Sequence, residues 1–336
     1  MDPLTHGLAS LAMQRGFFPG SKWRTVVAMV LAGVIADFDW FSASFGPPAY
    51  LRWHRSASHS FLFVLVLAFA ASLFSRIHRQ NQTTGSWAGF SWTAIAAAAS
   101  LHVLMDLLQA DAVVPLWPFI AKRWSFDLAP PVDPWLLVIL AGAILFPELI
   151  RLVGDEIGSK SKRPRGRTGA ITGLALTLLY FAMRGLFHAN TVAALDARTV
   201  AGEMPRRVAA FPDATSPFLW HSIVETESAL HLADMRSSTG GEVSYTSGVT
   251  TLRKPEASPM LSAAQTSLAA VAFLKAARFP KATVEKETEG YSVEIFDAKD
   301  QAMAETHRAV FADVTLDKSA NVVSSGLHWQ KSAARP

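Results

Sequence analysis

Apolar runs separated by short polar breaks fill the first 188 residues, and the pattern then changes. Leu4 to Phe18 is mostly apolar and closes at Pro19-Gly20. At ~1.5 Å per residue it is too short to span a bilayer comfortably. Trp23 to Phe41 is long enough. Phe61 to Phe74, Trp87 to Leu108, Trp135 to Val153 and Thr168 to Phe187 follow as further apolar runs. The pattern predicts a mainly α membrane protein, a helical bundle of about five to six membrane segments. Beyond it, short strand-like runs such as Ser222–Glu227, Glu242–Thr246 and Tyr291–Phe296 alternate with Gly, Ser and Asp turns. Thr191 to Arg207 and Ala263 to Ala277 read as helices. The predicted organisation is a membrane-embedded domain over 1–188 and an extracytoplasmic soluble α+β domain over 189–336.

The polar breaks carry an orientation. Arg151 to Arg167 contains Lys160, Lys162, Arg163 and Arg165, and such basic loops stay cytoplasmic. Counting back by alternation also puts the Lys22–Arg24 and Arg76–Arg79 turns inside. The loops around His54 and Lys122, and everything after His188, then fall outside. Met1-Asp2-Pro3 is not a basic leader, so the first long run is expected to remain as an anchor.

Composition supports this reading. Half of the residues are hydrophobic and only 17% are charged, against roughly 25% in soluble domains. Tryptophans such as Trp23, Trp40, Trp87 and Trp135 sit at run edges, where an interfacial belt would place them. A net charge of +4 gives little support to nucleic-acid binding. Cysteine is absent, which removes disulfides, thiolate ligands and a cysteine nucleophile.

The chemistry gathers at the membrane borders. His54-Arg55-Ser56-Ala57-Ser58-His59-Ser60 opens the Phe61 run, and acids or imidazoles recur at His6, Asp37, Asp39, His102 and Asp106. Such groups are costly beside hydrocarbon unless they pair or bind an ion. His102 and Asp106, at i and i+4, share a helix face, so both can reach one ion or the acid can orient the imidazole. Asp37 and Asp39, at i and i+2, do not share one. Either the helix ends there or a single acid points into the site. If the first two helices form a hairpin, His6 returns to the level of Asp37. The inferred topology carries all these groups to the outer face. Histidine and carboxylate without thiolate suit zinc, with manganese or magnesium as alternatives.

At these residues the chain resembles the YdjM-like family of inner-membrane proteins, assigned on their motifs as metal-dependent hydrolases. The matching pieces are Met1-Asp2-Pro3-Leu4-Thr5-His6, Ala36-Asp37-Phe38-Asp39, His54 to Ser60, and His102-Val103-Leu104-Met105-Asp106. Ala36 stands where the family usually has proline, and Ser58 where it has threonine. Ser216-Pro217-Phe218-Leu219-Trp220 is similar to the bridge of longer members. The resemblance implies a metal shell of His54, His59, His102, Asp106 and Asp37. His6 and Asp39 become ligands to a second ion, orienting groups or proton carriers; independently of the resemblance, a guanidinium at Arg55 suits a phosphate or a lipid headgroup. The resemblance implies metal-dependent hydrolysis in the cytoplasmic membrane by a metal-activated water; the polar site at the outer membrane border, where an amphiphile could enter sideways, points to a lipid or lipid-linked (phospho)ester as substrate. The chain's partners would be membrane lipid, a lipid-like substrate and a protein docking on the C-terminal domain. The alternatives are a metal-binding scaffold and an ion or proton carrier.

Overall fold

The computed structural model describes residues 1–77, 86–156, 166–303 and 309–330. The Gln80–Ser86 turn, His78, Arg79 and the basic residues Lys160, Lys162, Arg163 and Arg165 fall wholly or largely outside them. The chain divides into two units: Met1–Trp40 with Arg55–Leu186, and Phe41–His54 with Phe187–Pro336.

The first unit is helical. Helix α1 (Pro3–Phe17) starts at a built cap: Asp2 accepts the Thr5 N–H at 2.9 Å, and Pro3 takes the first position, where its missing N–H costs nothing. Its buried face is small and polar, with Thr5, His6, Ala9, Ser10 and Ala12. That face lets α2 (Trp23–Ala32) come close. A Cβ on Gly33, just past the end of α2, would fall 1.9 Å from Ser10 Oγ. At Gly33 the chain bends by 43° into a 3-10 segment, Ile35–Phe45. A second bent pair follows, in which α3 (Pro47–Trp53) and the 3-10 turn Ala57–His59 lead at 65° into α4 (Phe61–Ile77). Ser60 Oγ accepts the Phe63 N–H and caps α4.

Helix α5 (Ser86–Leu107) packs Ala94, Ala98, Ala99 and Val103 against Met29, Val64 and Ala68. Helix α6 (Pro134–Glu156) is capped by Asp133, which accepts the Trp135 and Leu136 N–H groups and the Tyr180 hydroxyl. Helix α7 (Arg167–Asp196) meets α6 through small residues, a common way for membrane helices to approach. A Cβ on Gly173 would lie 2.2 Å from Ala143 Cβ.

Among the described residues, α6 over Pro134–Leu152 and α7 are long and apolar enough to cross a membrane, and the count rises to four if each bent pair is one span. That is fewer than the five to six segments predicted. Helix α1, with 15 residues, is short for a span, as expected from its sequence.

The second unit is built on antiparallel sheets. The first holds β1 (Arg207–Pro212), β2 (Leu219–Glu225), β3 (Ala229–Ser237) and β4 (Val243–Tyr245) in that order, with β5 (Thr250–Arg253) also pairing β3. The second is a meander of β6 (Pro280–Lys286), β7 (Gly290–Asp297), β8 (Val310–Asp317) and β9 (Val322–Trp329). Helices here are short. The predicted Ala263–Ala277 helix is two, α8 (Pro259–Gln265) and α9 (Leu268–Leu274), because Ser267 accepts the Ala270 N–H and starts a new one. The predicted Thr191–Arg207 helix is the end of α7, and β1 begins at Arg207. The expected α+β domain is thus predominantly antiparallel β. Phe273, Ile295, Val314 and Leu316 form its core, with Tyr50 and Leu51 of α3 packed on it.

Candidate metal centre

Four elements of the first unit bring the border residues together. The start of α1 supplies His6, and the 3-10 segment after the Gly33 bend supplies Asp37 and Asp39. The turn before α4 supplies Arg55 and His59, and the last turns of α5 supply His102 and Asp106. The hairpin of α1 and α2 returns His6 to Asp37, with Nε2 4.0 Å from Oδ2.

His6, Asp37, His102 and Asp106 each offer a ligand atom within 4.8 Å of all the others, and all four are buried. Asp106 is the hub. Its Oδ1 lies 3.1 Å from His6 Nε2 and 3.0 Å from the Gln109 amide nitrogen, and it also contacts the Met1 nitrogen. Its Oδ2 lies 2.9 Å from His59 Nε2, 3.4 Å from His102 Nε2 and 3.1 Å from Arg55 Nη2. Asp37 Oδ1 lies 3.6 Å from His59 Nε2 and 3.8 Å from His102 Nε2.

The rings are held from behind. His102 Nδ1 donates to the Gly33 carbonyl at 2.8 Å, which leaves Nε2 as a bare acceptor facing the acids. His59 Nδ1 lies 3.1 Å from Asp39 Oδ2 and 3.0 Å from Ser58 Oγ. That carboxylate oxygen also accepts the Arg55 N–H at 2.7 Å and the Ser58 hydroxyl at 2.5 Å. Arg55 itself adopts φ 56°, a left-handed conformation that an L-residue keeps only when its surroundings hold it there. Imidazoles backed by a carboxylate or carbonyl in this way are the usual support of metal ligands.

The donor set fits a divalent cation. His59 Nε2, His102 Nε2, Asp37 Oδ2 and Asp106 Oδ2 are buried and make no well-formed hydrogen bond, although Asp106 Oδ2 faces Arg55 Nη2 and His59 Nε2 in ion pairs. Such orphans are expensive in a dry interior and cheap only when a cation satisfies them. Nitrogen and oxygen ligands about 2.0–2.2 Å from an ion stand roughly 3–3.5 Å apart, close to the shorter separations here. Arg55 Nη2 is ion-paired with Asp106 Oδ2, and its Nε is buried without a hydrogen-bond partner, so Nε is the guanidinium donor left for an anionic oxygen.

Of the predicted ligands, His54 stands apart from this group. It belongs to the second unit, where its ring stacks on Tyr50 at 4.4 Å, and Tyr50 packs edge-on against Trp329 at 5.2 Å. The resemblance implies His54 as a ligand; it is outside the four residues that cluster, and α3, which precedes it, packs on β9. Asp37 and Asp39 both serve, because α2 ends at Ala32 and the tighter 3-10 winding points them to different sides of His59. Gln109, Ser58 and the Gly33 carbonyl escaped sequence reading. Gln109 alone carried a signal, one helical turn beyond Asp106.

Residues 1–191 match the family model described as YdjM inner membrane protein. No curated protein and no solved structure matches the chain.

Proposed function

The chain belongs to the YdjM family of inner membrane proteins, and we propose that it is a metal-dependent hydrolase of a lipid or lipid-linked phosphoester at the outer face of the membrane. The observation that carries the reading is the convergence of imidazole Nε2 atoms and carboxylate oxygens on one buried point, beside a buried guanidinium paired with Asp106. His6, His102, Asp37 and Asp106 would hold the ion, with zinc favoured by the imidazoles and manganese or magnesium by the acids. The ion would supply Lewis-acid polarisation and a nucleophile available at neutral pH.

The remaining roles belong to the chain's own groups. Arg55, held to Asp106 through Nη2, offers Nε to an anionic oxygen of the substrate and orients it towards the acids. Asp39 fixes the ring of His59 and, through the Arg55 N–H, the backbone that aims the guanidinium. Gln109 restrains Asp106.

An amphiphilic substrate suits the surroundings. The segment after α5 is tied to the His59 turn by Val114 N–H to Arg55 C=O at 3.2 Å and Phe61 N–H to Pro115 C=O at 3.0 Å. The same segment exposes Trp117, Phe119, Ile120, Trp124 and Phe126, apolar surface suited to lipid chains. The C-terminal unit contributes none of the four clustered residues, and we assign it to covering the site or binding a protein partner.

The test is elemental analysis of detergent-purified protein, coupled to phosphate release from a phospholipid monoester and an isoprenyl phosphate. Metal-dependent release that Asp106→Ala abolishes is expected. A folded, metal-free protein on which chelation has no effect would remove the reading.

A further inference from the structure

We propose that the centre is built for two divalent cations, bridged by Asp37 and Asp106, one on the His6 side and the other on the His59–His102 side. The inference rests on the metal-centre reading above and adds the number of ions and the division of the ligands between them.

The two carboxylates are placed as bridges. Asp106 turns Oδ1 to His6 Nε2 at 3.1 Å and Oδ2 to His59 and His102 at 2.9 and 3.4 Å. Asp37 repeats the division, with Oδ2 towards His6 at 4.0 Å and Oδ1 towards His59 and His102 at 3.6 and 3.8 Å. Each acid therefore faces the same two groups of imidazoles with different oxygens. Asp106 has further partners on each oxygen, Met1 and Gln109 on Oδ1 and Arg55 on Oδ2, but Asp37 repeats the same division, and two acids dividing alike define two positions.

The number of donors agrees. A single ion within His6, Asp37, His102 and Asp106 leaves out His59, yet His59 Nε2 is nearer to both acids than His102 Nε2 is. With Nδ1 held by Asp39, a neutral His59 turns a bare nitrogen lone pair on two carboxylate oxygens. That arrangement is repulsive unless a proton on Nε2 or a cation stands between them, and in a loaded centre the cation takes that place. Three imidazole nitrogens and four carboxylate oxygens exceed the four ligands of tetrahedral zinc and the six of an octahedral ion. Shared between two ions through bridging acids, they leave positions for water or substrate oxygens on each. Such paired sites are used for phosphoester displacement, where one ion serves the attacking oxygen and the other the leaving one.

The experiment loads full-length, detergent-purified protein with Mn(II), and measures Mn per chain by elemental analysis and the low-temperature EPR spectrum. Two Mn per chain with an exchange-coupled signal are expected. His6→Ala should retain one Mn with the spectrum of an isolated ion, and His59→Ala likewise. One Mn per chain at saturation in the wild type, with an uncoupled spectrum, overturns the two-ion proposal and leaves the metal-centre reading intact. No Mn at all, nor any other metal, overturns both. Should either variant fail to fold, the wild-type stoichiometry and coupling decide alone.

Discussion

Asp39→Asn tests how far the centre depends on a residue that is not one of the four clustered ligands. One oxygen of Asp39 accepts the Arg55 N–H, the Ser58 hydroxyl and the His59 Nδ1 contact, all at 2.5 to 3.1 Å. The amide keeps an acceptor but loses the charge, and its NH2 cannot accept from any of the three. Two consequences follow. The imidazole loses the carboxylate that fixes its tautomer and raises its basicity, a change that typically weakens metal binding about 10–100-fold, or roughly 1.4–2.7 kcal/mol. Arg55 loses part of what holds its left-handed backbone, a conformation that costs roughly 1–2 kcal/mol, so its guanidinium loses its aim as well. Ser58→Ala removes a single neutral donor and should cost about 0.5–1.5 kcal/mol. Competition against a chelator of known affinity, on protein shown to be folded by circular dichroism and size-exclusion chromatography, gives the comparison. Asp39→Asn should weaken binding at least tenfold, and more than Ser58→Ala does. Wild-type affinity in Asp39→Asn would refute the orienting role, and equal losses in the two variants would refute the part assigned to charge.

Further outcomes follow from the same geometry. Gly33→Ala should lower the thermal midpoint and metal affinity together. Ser10 Oγ can rotate away, but its Cβ stays 3.1 Å from the new methyl, a misfit costing about 1–3 kcal/mol, and Ser10→Gly in the same chain should restore both. Gly173→Leu should destabilise the α6–α7 pair without changing metal affinity in the folded fraction, because the clash is with Ala143 Cβ at 2.2 Å; a specific loss of metal would contradict this. In the C-terminal unit burial works to raise the Asp213 carboxyl, but hydrogen bonds from Thr215 and Ser216 outweigh it and hold it below its ordinary range. A depressed carboxyl contributes stability that is complete above its unfolded value and lost as pH falls through the folded one, so melting should be acid-sensitive below about pH 4. Thr215→Val should flatten that dependence, and an unchanged profile would count against it.

Much of the centre was legible because membrane chemistry makes polar residues conspicuous. His102 and Asp106 follow from helical spacing, and His6 from the hairpin length. What escaped depends on tertiary choices. The acids Asp37 and Asp39 cannot share an α-helical face, and only the Gly33 bend and the 3-10 winding beyond it let both act. His54 is two residues from the turn that enters the centre, yet Tyr50 and Trp329 hold it on the second unit. The C-terminal strands were visible from their turns, with β2 and β7 within three residues of their predicted ends, but the Ala263–Ala277 run hid the Ser267 cap that breaks it. Hydropathy alone does not see a bend, so the 43° and 65° breaks inside two of the predicted apolar segments were not legible.

The central claim is that motifs over a hundred residues apart share one metal centre in which Asp106 is the hub. The most direct measurement is the metal content of folded, detergent-purified wild type beside Asp106→Ala, His102→Ala and His54→Ala. Bound metal in the wild type and in His54→Ala, absent from Asp106→Ala and reduced in His102→Ala, is the predicted result. A folded wild type without metal, or an Asp106→Ala variant that binds as the wild type does, would contradict it.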